Sequence, residues 1–402
     1  MRDNKINMTI QNEMPRAGCA IAGIVLCAVA AAAQAGSTFH KPLRTTPTEA
    51  LTVNVPFRDW APTTIAGTII VGGNSSGRGG LTAVDTTTGK VKWTARPTGL
   101  AHGTPFVATA PAVSGDAVIT PMGNTLVALS LATGKELWRG PATAQQAAVA
   151  ANGGLAYVLG DDGNFYAFDA KTGQEKWKVA FARRGSCVAR PVVRDDVVYV
   201  TGNVAVTPAD ANRPASYYQH LFALDAATGQ ERWRYPSVPS ARGSGVCHDR
   251  PVVTADTLFA ASEATLYAVN VATGRDRWTP VEVRRPVEGR ERAVNIFGLV
   301  DAGSVLVGLT SNVMIAFDKA SGKTAWEVAG QYRENAPSTA VADGVLYFQG
   351  SRGTLSALDL ATRAVLWSFS RPTAEPNWAF GFVTPVDGGL WVDSYQALVK
   401  LQ

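Results

Sequence analysis

The chain has 402 residues, a formal charge of +5, 46 % hydrophobic residues and 17 % charged ones. That balance excludes a disordered polymer, and so small and dispersed a charge excludes a nucleic-acid surface. Length alone would allow two or three ordinary domains, but a repeat architecture escapes that division.

Residues 1–35 read as a signal peptide. Arg16 precedes the apolar stretch AGCAIAGIVLCAVAAAA, and Ala33-Gln34-Ala35 is a small-x-small cleavage pattern. The stretch is short for a membrane span, with retention as an anchor as the alternative. The predicted mature chain starts near Gly36, carries no transmembrane span and is periplasmic. Cys27 follows Leu26, where a lipid-bearing cysteine needs a small neighbour, and Cys19 comes too early. Cys187 and Cys247 remain in an oxidising compartment, where a disulfide between them is one alternative. Residues 36–49 read as a linker, and ALTVNVPF, residues 50–57, as a strand with no sheet of its own.

From there one unit recurs seven times, as in DTTTGKVKW (85–93), DAKTGQEKW (169–177) and DLATRAVLW (359–367). It ends on Trp93, Trp138, Trp177, Trp233, Trp278, Trp326 and Trp367, spaced 39 to 56 residues apart. An alanine stands two positions before each copy: Ala83, Ala128, Ala167, Ala223, Ala268, Ala316 and Ala357. Short apolar runs such as DVVYVTG precede each turn, with no helical periodicity. The unit therefore reads as a four-stranded propeller blade. Its Asp or Asn hydrogen-bonds the turn backbone, its Gly supplies a positive φ, and its Trp packs against the neighbouring blade. Copy seven has Arg363 in place of Gly, which predicts a looser turn.

This pattern resembles the tryptophan-docking motif of the quinoprotein-type propellers, over nearly all of the mature chain. The resemblance implies two kinds of job: dehydrogenation with pyrroloquinoline quinone and calcium, or outer-membrane assembly in the manner of BamB.

After Trp367 the chain supplies three more strands. With residues 50–57 as their outer fourth, the prediction is an all-β, eight-bladed propeller of antiparallel blades, closed by an N-terminal strand over residues 50–402. Trp391 takes the place of Tyr199 and Tyr347 in other blades and reads as core. Trp60 and Trp378 stand where innermost strands begin, near the mouth of the channel. SCVARPVV and GVCHDRPVV align Cys187 with Cys247 and Arg190 with Arg250. His248, Asp249 and Arg250, with Arg58, His102 and Arg190, form a candidate site for a small anionic ligand; the alternative is solvation of a wet channel. No catalytic residue is assigned, and no histidine pair has metal-ligand spacing.

The adjacent cysteines and calcium set of the quinone enzymes are not recognisable. The favoured reading is a monomeric, exported, BamB-like scaffold for envelope proteins, with no cofactor and no nucleic-acid partner. The alternatives are a propeller oxidoreductase using pyrroloquinoline quinone and calcium, and a propeller hydrolase or lyase.

Overall fold

Each repeat folds into antiparallel strands because its apolar runs follow two patterns. The inner strands are apolar on both sides, as in Ala117–Met122 and Leu355–Asp359, which are buried throughout. The last strand of a blade alternates, as in Glu136–Gly140, so one side meets a neighbour and the other meets water.

A computed structural model describes residues 42–55, 62–75, 78–96, 110–122, 125–140, 148–160, 162–181, 190–207, 216–235, 251–262, 264–287, 290–310, 312–330, 332, 339–350, 354–370, 380–394 and 397–402. Among them there is no helix, and the strands form eight four-stranded sheets and one two-stranded hairpin. Seven blades occupy residues 63–95, 112–140, 149–180, 192–235, 252–282, 297–329 and 340–369, each built outward along the chain. The eighth takes three strands from residues 380–401 and its outermost, Glu49–Asn54, from the other end of the chain. The protein is an eight-bladed β-propeller closed by its N-terminal strand, as the sequence predicts.

Antiparallel order gives the ring two faces. The turns joining first to second and third to fourth strands share one, the turn face; in blade four Ala226 N donates to Asp196 O across them at 2.8 Å. The loops joining second to third strands and the links between blades share the other, the connection face. There Phe181 N donates to Gly163 O at 2.9 Å.

The repeat motif builds the joints between blades. Asp85 Oδ1 accepts the Thr87 and Thr88 amides at 3.1 and 2.8 Å, and Gly89 completes the turn at φ 68°. Five of the repeat indoles reach the residue after the Asp, Ser or Asn of the next blade. Trp93 Nε1 donates to Leu131 O at 2.7 Å, Trp138 to Ala170 O at 2.9 Å and Trp177 to Ala226 O at 3.1 Å. Trp233 donates to Val271 O at 2.8 Å and Trp278 to Lys319 O at 3.2 Å. The ring lies flat on the next turn's glycine: a Cβ at Gly134 would stand 2.7 Å from Trp93, and one at Gly173 2.7 Å from Trp138. The motif alanine pairs with the Trp across the strands, as Ala167 with Trp177, and a bulge beside that pair aims the ring.

Copy seven departs in a way the sequence does not anticipate. Arg363 adopts φ 65° and keeps the turn intact, with Arg363 N on Asp359 O at 2.7 Å and Thr362 N on Asp359 Oδ1 at 2.8 Å. The turn is not loosened; the joint is. An arginine Cβ occupies the space where an indole would lie, and Trp326 makes no Nε1 hydrogen bond among the described residues, unlike the other six repeat tryptophans. It stays half-buried, packed against a buried cluster that includes Leu346 and Leu358.

The ring closes with different residues doing the same work. Trp367 Nε1 donates to Leu43 O at 2.9 Å, and Leu43 N donates to the Tyr347 hydroxyl at 2.8 Å. Arg44 pairs with Asp359, and the Thr48 and Gln402 backbones exchange hydrogen bonds of 2.8 and 3.0 Å. Thus part of the segment read as a linker is docked on blades seven and eight. At the last joint Leu51 and Val53 cover Gly89, and fully buried Trp391 donates Nε1 to Thr86 O at 3.1 Å. Lys400 holds the place of the repeat alanine, between Leu51 and Trp391 in register.

Two outcomes follow. Arg363→Gly removes a left-handed arginine and clears the seat for Trp326, so it should raise stability by about 1–2 kcal/mol, read as a higher urea midpoint; a lower midpoint would contradict the steric account. Backbone hydrogen bonds from Thr88 and Thr362 hold the Asp85 and Asp359 carboxyls down at about 2. Groups depressed in the folded state stabilise it above the ordinary carboxylate value of 3.8 and lose that effect as pH falls through about 2. Urea midpoints should therefore drop between about pH 4 and 2. Asp85→Asn should soften the drop, because Asn270 already makes this turn with amides at 3.0 Å. An unchanged acid profile in that variant would clear the turn carboxylates of responsibility.

Candidate functional site

The links between blades deliver the chain to the innermost strands at the channel mouth on the connection face. Of the sequence-predicted mouth residues, the structure describes Arg190. Arg58, Trp60, His102, His248, Asp249, Arg250 and Trp378 lie outside the described residues, as do Cys187 and Cys247.

Arg190 stands just before the innermost strand of blade four, Val192–Arg194. Its Nε donates to Val149 O in blade three at 2.9 Å, and Nη2 donates to Pro111 O at the start of blade two at 3.2 Å. The Thr63 hydroxyl of blade one donates to the same Pro111 carbonyl at 2.5 Å. Four consecutive blades are thereby tied at the mouth through one carbonyl and one guanidinium. At the other end of the same strand, Arg194 Nη1 donates to Val253 O of blade five at 2.8 Å. A planar, permanently charged donor fork suits this work, since it satisfies several buried carbonyls at once. Sequence alignment of Arg190 with Arg250 locates the position, but nothing in it shows that the acceptors are backbone oxygens of other blades.

Among the described residues, several buried titratable groups serve the scaffold. Burial pushes the Tyr157 phenol up to about 12, and its hydroxyl donates to Ala226 O at 3.1 Å, the carbonyl that also accepts Trp177. Burial likewise pushes Tyr199 up to about 12. Tyr235 is raised by burial and by its 2.6 Å hydrogen bond to Asp276 of the next blade. Such phenols are neutral donors, not bases. His220 is buried on the third strand of blade four beside Phe222. Among the described residues no group of three His, Cys, Asp or Glu side chains could hold a metal ion.

Two arms distinguish the connection face. In blade four Val197–Thr207 and Ser216–Asp225 form a hairpin whose ladder runs on to the Thr207–Ser216 pair. Between blades five and six, Arg284–Val287 and Arg290–Ala293 form a separate hairpin. Buried Val283 and Ile296 anchor its base, and Arg285 pairs with Glu327 of blade six.

A model of the family described as outer membrane protein assembly factor BamB matches residues 107–288 and 287–389. The BamB protein of Burkholderia pseudomallei is 28 % identical over 253 residues, 54 % of this chain and 63 % of that protein. The serine/threonine-protein kinase AfsK of Streptomyces griseus is 27 % identical over 188 residues, 45 % of this chain and 21 % of the kinase. The chain thus spans a small part of the kinase and under two thirds of that BamB. Among solved structures, BamB from Moraxella catarrhalis has a TM-score of 0.63 at 16 % identity, covering 89 % of this chain and 100 % of the other. A europium-containing methanol dehydrogenase has a TM-score of 0.64 at 14 % identity, covering 88 % and 85 %. At these identities the structural likenesses speak to the fold alone.

If Arg190 is a strut, Arg190→Ala removes the donor to the Val149 carbonyl and one of two donors to the Pro111 carbonyl, and should cost about 1–3 kcal/mol by denaturant melts. An unchanged melt would free this guanidinium for a ligand role.

Proposed function

The chain belongs to the family described as outer membrane protein assembly factor BamB, and from that premise we propose that it is an exported, periplasmic interaction scaffold for envelope proteins. The family match, running from residue 107 to residue 389, carries the proposal. What supports it further is where the described polar chemistry goes. Turn carboxylates shape their own turns, while six of the seven repeat indole N–H groups, the Tyr157 and Tyr235 phenols and Arg190 reach carbonyls or carboxylates of other parts of the ring. The Arg284–Ala293 hairpin of the connection face offers a partner exposed, charged side chains. Partner recognition is assigned to that face, and the small anionic ligand read from Arg58, Trp60, His102, Arg190, His248, Asp249, Arg250 and Trp378 becomes a subsidiary proposal for its centre.

The test sets this reading against the oxidoreductase one. Calorimetric titration with pyrroloquinoline quinone and calcium should give no saturable heat. A photo-crosslinker at Glu291 should yield discrete adducts with envelope assembly proteins in cells. Micromolar quinone binding that disappears in Arg250→Ala would replace the scaffold reading with a cofactor-dependent one.

A further inference from the structure

The outermost strand of a blade has one edge paired within its own sheet and one edge turned outward. Such a row of unpaired N–H and C=O groups is a template for a further strand, and proteins guard it with bulges, charges or shortness. A bulge beside the alanine–tryptophan pair twists the outer strands of blades one, two, three, four, six and seven alike. Charge is the guard that differs between them.

In blade three Glu175, Lys176 and Lys178 surround Trp177, and in blade four Glu231, Arg232 and Arg234 surround Trp233. Blade two has Glu136 and Arg139, blade one Lys92, blade six Glu327 and blade eight Glu49. The outer strand of blade five stops after two residues, Val281–Glu282. Val365–Phe369 of blade seven, VLWSF, has no charged residue. The nearest in the chain, Arg363 and Arg371, stand outside its two ends. Val365 is also 51 % exposed, between Ala364 and Leu366. The comparably exposed Val91 and Leu137 have charged neighbours instead, Lys90 and Lys92 for one and Glu136 for the other. Among the described residues no backbone hydrogen bond reaches the outer edge of Val365–Phe369.

The edge itself selects what can cover it. Only an extended backbone matches a row of alternating donors and acceptors. A charged segment laid on this strand would lose water and find no counter-charge in it. A second copy of this chain is poorly suited, because five residues of edge fall far short of the ~1,200 Å² that a specific dimer buries. We propose that Val365–Phe369 accepts an extended, uncharged segment of a protein partner as a fifth strand of blade seven. Main-chain hydrogen bonds hold the added strand, and Val365 gives it an apolar contact at one end.

This outer wall is distinct from the connection face to which the partner reading assigns recognition, so the two fail separately. The probe is an immobilised array of short uncharged peptides that alternate valine or tyrosine with threonine or serine. Labelled protein should bind discrete members, and methylating alternate peptide nitrogens along one edge should abolish that binding. Val365→Glu restores the residue that blades two, three and four carry two places before their tryptophans, Glu136, Glu175 and Glu231. It should weaken binding about tenfold or more with an unchanged melting curve, while Val365→Thr binds as the wild type does. An array with no binder, equal binding by Val365→Glu, or indifference to methylation would each overturn the proposal. So would a dimer in sedimentation that Val365→Glu dissolves, since the edge would then belong to a second copy. Crosslinks from Glu291 report on the partner reading and are unaffected by these outcomes.

Discussion

An indole laid on the turn of the next blade is the contact on which this ring depends. Apolar burial between blades is large but has no direction, so it does not by itself fix how one sheet sits against another. The Trp N–H supplies the direction, because its acceptor is a backbone carbonyl at one fixed place in the neighbouring turn. Everything else in the repeat serves that bond. The Asp, Ser or Asn shapes the turn that presents the carbonyl, the glycine leaves the space above it empty, and the alanine opposite the Trp lets the ring lie down. A larger residue at Ala128 or Ala223, both fully buried in register with their tryptophans, would lift the ring off its seat.

The seam where both chain ends meet shows that the physical requirement outranks the residue that meets it. Blade eight has no turn of its own, so Leu43 lends the carbonyl that Trp367 needs. Its outer strand has no tryptophan, so Leu51 and Val53 cover the glycine of blade one while Trp391 provides the N–H from a strand further in. With no indole to accommodate on the outer strand, the alanine position is free to hold Lys400. Hydrophobic cover and directional bond are thus divided between two strands where elsewhere one side chain does both.

What was legible in the sequence was whatever repeats. Trp93 to Trp367, their alanines and their turns announce blade number and strand order because seven copies average out local noise. The seam was only half legible: a spare strand near residue 50 was visible, but Leu43, Lys400 and the bond from Trp391 obey no period. Arg363 was visible as an exception, yet its effect was placed on the turn, whose hydrogen bonds tolerate an arginine at positive φ. The strain falls on Trp326 in the preceding blade, a long-range consequence that a single copy of the motif does not reveal. At the mouth, irregular polar residues could be collected by sequence, but the acceptors of Arg190 are carbonyls, which sequence does not advertise.

The two faces of the ring accordingly evolve under different rules. An insertion on the turn face would move a carbonyl that an indole must reach, so the turns keep one length and one set of bonds. The widest spacing between repeat tryptophans, from Trp177 to Trp233, is absorbed by the long hairpin of blade four. That between Trp278 and Trp326 is absorbed by the hairpin Arg284–Ala293. Both open on the connection face, where nothing in a joint is disturbed. A propeller can therefore keep its architecture at 16 % identity to a BamB and 14 % to a methanol dehydrogenase, because the joints constrain few side chains. Specificity is free to change on the other face, and it is there, in the two arms and the links that lead to the channel, that this chain differs most from its own repeat.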